Sequence, residues 1–277
     1  MLAIDGFAFH CLKRIKTNNY YSSYSITIYL WGMICPGPDP KNVYLFLAFL
    51  SSMSENNRHT GGMMQIEELR KIAGREEIDY QFIMSALNKE YARPREKISA
   101  WLKSRELIRV KKGLYIFGET VALQPYSKEV LANLIYGPSA ISLTYALSYY
   151  GIIPERVDTI TSITNNRYRS FATCIGEFKY YYLNSQKYTV GIILNSIVTS
   201  QQFLIATPEK ALCDQIHIID KDYPLNNTDD LEKYLFHYLR GDERLLSKFK
   251  FKKLQELSSC YNDRRLSLLC GYIKSRQ

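Results

Sequence analysis

At 277 residues the chain is long enough for two small domains, and 46% hydrophobic with 23% charged residues is ordinary for a globular protein. Its net charge of +9 favours a polyanionic partner without identifying one, because a solvated basic surface carries the same charge. No stretch approaches the ~20 apolar residues of a membrane span, and the apolar run from Val43 to Leu50 is too short and too deep in the chain for a signal-peptide core.

Residues 1–62 mix Asn, Ser and Tyr runs with the cluster Cys35-Pro36-Gly37-Pro38-Asp39-Pro40 and show no sustained period, so they read as a poorly structured leader. Gly61-Gly62-Met63-Met64 then precede a clean amphipathic pattern, which places the expected natural start at Met63 or Met64 and makes the leader an upstream extension. The alternative is an arm that docks through the Val43 to Leu50 stretch.

Ile66, Leu69, Ile72 and Ala73 repeat at helical spacing up to Gly74, a natural stop. Ile78, Phe82, Ile83, Ala86 and Leu87 mark a second helix, and after Tyr91-Ala92-Arg93 a third begins with Pro94 in its first turn. In that helix Ile98, Trp101 and Leu102 form the buried stripe. Glu96, Ser99, Ala100 and Lys103 face the other way, flanked by Arg93, Arg95 and Lys97.

Residues 107–110 and 114–117 alternate like strands around Lys111-Lys112-Gly113, with glycine supplying the turn. Three helices and a hairpin in this order predict a winged helix-turn-helix over residues 63–120. The third helix would enter a major groove and Lys111 and Lys112 would meet phosphate. Basic residues crowd these two elements, against only Glu90, Glu96 and Glu106. A protein-docking module of the same shape is the competing reading.

Gln124-Pro125 marks the expected boundary, a linker that few contacts should cross, before a second domain over 124–277. Helices are expected at 127–135 and at 140–150, the latter capped by Ser139 and stopped by Gly151. Strands are expected at 157–164, 168–173, 178–183 and 189–194. Thr207-Pro208-Glu209 starts another helix, and helical spacing recurs at 231–239 and 263–274. The fold class is therefore α+β: a winged helix-turn-helix, then a mixed α/β domain with a helical tail.

Two blocks, GPSAISLTYALSYYGIIPERVDTITSITNNRYRSFATCIGEFKYYYL (137–183) and FLIATPEKALCD (203–214), together with the preceding GLYIF (113–117), resemble the AbiEi antitoxin family of bacterial abortive-infection systems. The resemblance covers roughly residues 64–220 and implies an antitoxin that is also a transcriptional autorepressor. Its winged helix would bind double-stranded operator DNA. Its C-terminal domain would assist repression and counteract a nucleotidyltransferase-like toxin in the type IV manner, in which no stable complex with the toxin is required.

In the second domain, Arg167 and Arg169 lie two positions apart, which on a strand would aim both to one side as a cationic grip. They are the candidate antitoxin surface, and a nucleotide- or RNA-modifying enzyme using the same face is a further alternative. Glu209 is explained by its first-turn position on a helix, and His217 as a packed or exposed side chain. No glycine-rich phosphate loop, nucleophile elbow or H-E-x-x-H pair occurs, so neither catalysis nor a cofactor is expected. The six cysteines, Cys11, Cys35, Cys174, Cys213, Cys260 and Cys270, form no C-x-x-C pair and lack zinc-ligand spacing with the histidines. Scattered thiols fit a reducing, cytoplasmic setting.

Overall fold

The computed structural model describes residues 63–198 and 201–276; the expectations for residues 1–62 lie outside them. Among the described residues, Met63–Met64 with Leu87–Ala92 fall in one unit and Gln65–Ala86 with the residues from Arg93 onward in another. In the described part of the first unit, the Met64 N–H donates to the Glu90 carboxylate at 2.7 Å and the Tyr91 hydroxyl donates to the Met64 carbonyl at 2.8 Å.

The second unit opens with α1 (Ile66–Ala73), ended by Gly74, whose φ of 65° lets its N–H turn back to the Arg70 carbonyl. Ile78 departs from the expected second helix: it lies in strand β1 (Glu77–Asp79), opposite Tyr115. Asp79 accepts from the Phe82 N–H at 2.7 Å, an N-terminal cap that starts α2 (Tyr80–Leu87) after Ile78. Helix α3 (Pro94–Lys103) and strands β2 (Leu107–Lys111) and β3 (Leu114–Phe117) follow as expected. The three strands form an antiparallel sheet of order β1-β3-β2, and all four residues of the central strand are buried.

The segment expected to be a loosely held linker is bonded to β1 and its approach. Glu76, fully buried and paired with Arg70, accepts from the backbone N–H groups of Leu123 (3.2 Å) and Gln124 (3.0 Å). Glu77 accepts from the Ser127 N–H at 2.8 Å, and Gln201 donates to the Pro125 carbonyl at 2.7 Å. Backbone polar groups need partners, and here the two carboxylates take up N–H groups while the Gln201 amide serves a carbonyl.

Helix α4 (Lys128–Ile135) is capped by Ser127, whose hydroxyl accepts from the Val130 N–H. Ser139 is not a cap: it lies in β4 (Ser139–Ile141), and α5 (Leu143–Tyr149) begins after Ser142. Then come β5 (Ile160–Thr164), β6 (Arg169–Thr173), β7 (Gly176–Tyr182), the short α6 (Ser185–Thr189), β8 (Ile192–Ser196) and β9 (Gln202–Ala206). These strands form a mixed six-stranded sheet of order β6-β7-β5-β4-β9-β8. β5 runs parallel to β7 and β4 to β9, whereas β4–β5, β6–β7 and β8–β9 are antiparallel.

Thr207 caps α7 (Pro208–Asp214), which continues as a π-helical stretch over Gln215–Ile219. Helix α8 (Thr228–Glu232) likewise continues as Lys233–Tyr238, and α9 (Glu243–Leu246), α10 (Phe251–Tyr261) and α11 (Arg264–Ser275) complete the tail. Helix α10 is an addition to the elements expected from sequence; Leu254, Leu257 and Tyr261 are its buried side. The protein is thus α+β with two sheets. No helix among the described residues is long and apolar enough to cross a membrane.

Candidate nucleic-acid interface

Helix α3 sorts its residues by face. Ile98 and Trp101 are 4% and 2% exposed, whereas Arg93, Arg95, Glu96, Ser99, Ala100 and Lys103 are exposed and Lys97 is half-buried. Pro94 sets the first turn where its missing N–H costs nothing. Arg93 pairs with Glu96 at 3.1 Å, but both side chains are over two-thirds exposed, so the pair contributes well below about 1 kcal/mol and yields to a stronger anion. Arg95 donates from Nε to the Tyr80 hydroxyl on α2 at 3.2 Å. The Lys97 ammonium sits 5.2 Å from the Trp101 ring centre, covering the indole from outside while Ile98 and the core hold it from within. The Ser99 hydroxyl donates to the Arg95 carbonyl at 2.9 Å, leaving its lone pairs outward.

The hairpin treats its two lysines differently. Strict alternation would place Arg109 and Lys111 on one face, but the register shifts between them, and such a bulge turns the following side chain. Arg109 is therefore exposed while Lys111 is half-buried. The Lys111 ammonium donates to the Ile135 carbonyl at the end of α4 and lies 5.4 Å from the Phe171 ring centre. Burial lowers its pKa. Lys112 is exposed at the tip, beside Gly113 at φ 87°. The Cys174 thiol meets the Arg109 carbonyl at 3.7 Å, so the hairpin rests on the β6–β7 turn as well as on α4. Arg109 and Arg105, the latter exposed in the turn after α3 with φ 61°, join this surface from outside the expected set. Their charge was visible in the sequence; the left-handed turn at Arg105 and the bulge that turns Lys111 away from Arg109 were not.

Arg167 and Arg169 are both exposed, but only Arg169 lies in β6, opposite Tyr180; Arg167 precedes the strand, and its carbonyl accepts from the Tyr136 hydroxyl at 3.2 Å. They are therefore not the same-side pair on one strand that the sequence spacing led us to expect.

A separate polar cluster lies under α7. Lys210 is fully buried and its ammonium donates to the Lys187 carbonyl (2.8 Å), the Tyr261 hydroxyl (2.6 Å) and Asp214 (3.4 Å). Tyr261 in turn donates to Asp214, as does Ser142 at 2.6 Å. The three protons of the ammonium are all used, so the cluster holds α5, α6, α7 and α10 together and leaves no free nucleophile or base. Burial, then the adjoining Asp214 carboxylate, push the Tyr261 hydroxyl far above its ordinary pKa.

At the rim, Lys187 lies 3.1 Å from Nε2 of His217, whose Nδ1 is 2.9 Å from Asp263. Burial opposes ionisation of Asp263, but the hydrogen bonds from Arg265 and His217 outweigh it and hold its carboxyl below the usual carboxylate range. Sequence reasoning noticed His217 but did not join Lys210, Asp214 and Tyr261 into one cluster. A lone Asp at a helix end and a Tyr among twenty-three carry no local signal of partnership. No group of His, Cys, Asp or Glu among the described residues is arranged to hold a metal ion.

No protein-family model matches the chain and no curated protein matches it, so the reading of this surface rests on its residues and their geometry.

Proposed function

We propose that residues 63–120 form a winged helix-turn-helix that binds double-stranded DNA, with α3 in the major groove and the hairpin as the wing. The observation that carries this reading is the division of α3. Ile98 and Trp101 anchor it, and Arg93, Arg95, Ser99, Ala100 and Lys103 are offered to solvent on a helix narrow enough for the groove. Small residues at the centre permit close approach, and cations at both ends meet the phosphate walls. Lys112, Arg109 and Arg105 extend the cationic surface, while Lys111 holds the wing to α4.

Together with the AbiEi resemblance of residues 113–117, 137–183 and 203–214, this supports an antitoxin and autorepressor that counteracts a nucleotidyltransferase-like toxin without needing a stable complex with it. The second domain is the proposed antitoxin part. Arg169 on β6 and Arg167 beside it are its exposed cations on that edge.

Fluorescence anisotropy with the DNA upstream of the native gene tests the DNA reading. Lys112→Ala should weaken all sequences alike and reduce the salt slope by about 1, because one phosphate contact and its counterion are lost. Ser99→Ala or Lys103→Ala should instead change discrimination between operators. Equal affinity and equal salt slope in all three variants would leave the fold as a protein-docking module.

A further inference from the structure

The two edges of the six-stranded sheet are built differently. β6 is guarded: Arg169 stands on it, Arg167 precedes it, and Lys111 of the hairpin lies over its Phe171. Charges and covering segments of this kind stop an exposed strand from pairing with another chain. Among the described residues β8, at the opposite edge, has β9 as its one sheet neighbour and no such guard. Residues 188–208 contain no ionisable side chain other than Tyr188, in a chain that is 23% charged and carries a net +9. Along this edge Ile193, Leu194, Ile197 and Val198 are 40, 56, 51 and 43% exposed, beside Tyr149, whose hydroxyl accepts from the Asn195 side chain at 3.1 Å.

We propose that β8 is a self-association edge, on which a second copy of this chain pairs its own β8 antiparallel across a two-fold axis and continues the sheet. Charge selects that occupant. Two copies of a +9 chain repel wherever basic surfaces meet, and this uncharged strand gives a seam free of like charges. Symmetry agrees with it, since an antiparallel pair of identical strands is isologous and satisfies both free edges at once. Area sets the strength: a five-residue strand and four exposed apolar side chains make a small seam beside the ~1,600 Å² of a standard interface, so the dimer is weak and concentration-dependent.

Self-association through β8 does not depend on DNA binding and is tested without DNA. Light scattering on the full chain, read across the micromolar range, should rise from the monomer mass of 32.3 kDa towards twice that value. Leu194→Lys places two like charges at the seam and should return the mass to that of the monomer, with an unchanged melting temperature because Leu194 is exposed. Leu194→Cys, oxidised and mapped by mass spectrometry, should give a disulfide between the two introduced thiols. A monomer at every concentration overturns the proposal, as does a dimer that survives Leu194→Lys. A cross-link found only through Cys174 or Cys260 does the same.

Discussion

Lys210, Asp214 and Tyr261 show how a few buried groups constrain one another. Lys210 and Asp214 are both 0% exposed, and burying them is tolerable because the ammonium has three acceptors and both carboxylate oxygens have donors. Asp214→Ala leaves an uncompensated ammonium in the core and is expected to cost about 3–5 kcal/mol, read as a lower midpoint in urea. Replacing both charged residues by apolar ones of similar volume is expected to recover most of that loss, because the unpaired charge is then gone. At the neighbouring rim, Asp263 has its carboxyl held low by Arg265 and His217, so its contribution is present above the unfolded pKa and is lost as pH falls below about 4.

At the scale of elements, α3 is where propensity, pattern and tertiary contact agree. Trp101 is 2% exposed beneath the proposed DNA face, so Trp101→Ala is expected to cost about 3–5 kcal/mol and to unfold this part of the chain. Circular dichroism and thermal melting check it; a fully folded variant that has merely lost DNA binding would mean the faces are reversed. The β2–β3 hairpin is the element where pattern and structure part. Its two strands and the Gly113 turn are legible as alternation and turn chemistry, yet the bulge after Arg109 turns Lys111 inward to the Ile135 carbonyl. A bulge is a two-against-one pairing choice between strands, and a single strand's alternation carries no trace of it.

Over the whole molecule, the second unit joins the three-helix segment to the six-stranded sheet through Glu76 and Glu77. Burial raises the Glu77 pKa, against the lowering effect of the Ser127 N–H, and its second oxygen has no partner. The sign follows from linkage: a raised folded pKa means stability that is fully present below the unfolded value, about 4.3, and is lost as pH rises through the folded one. Glu77→Gln keeps an acceptor for Ser127 and removes the buried charge, so it is expected to raise the melting temperature at pH 7 and to flatten its dependence above about pH 4. A fragment lacking residues 1–120 loses both carboxylates and the Lys111 tether, so it is expected to melt lower than the full chain. It should lose operator binding and, where it stays folded, still rescue growth against the neighbouring toxin. A soluble, folded fragment that rescues nothing would tie neutralisation to both parts or remove the antitoxin reading.

Local chemistry determined much of this by itself. Gly74, Pro94 and Gly113, the Thr207-Pro208 start and the apolar stripe of α3 act within a turn or two of chain, so their elements stand where the residues place them. Ile78 and Ser139 went to strands because sheet partners far along the chain, Tyr115 and Thr164, were there to pair with them. The same holds for polar partnership. The bonds from Glu76 to residues 123–124 and from Asp214 to Tyr261 span 47 positions or more, and only the folded chain brings those groups within hydrogen-bond reach.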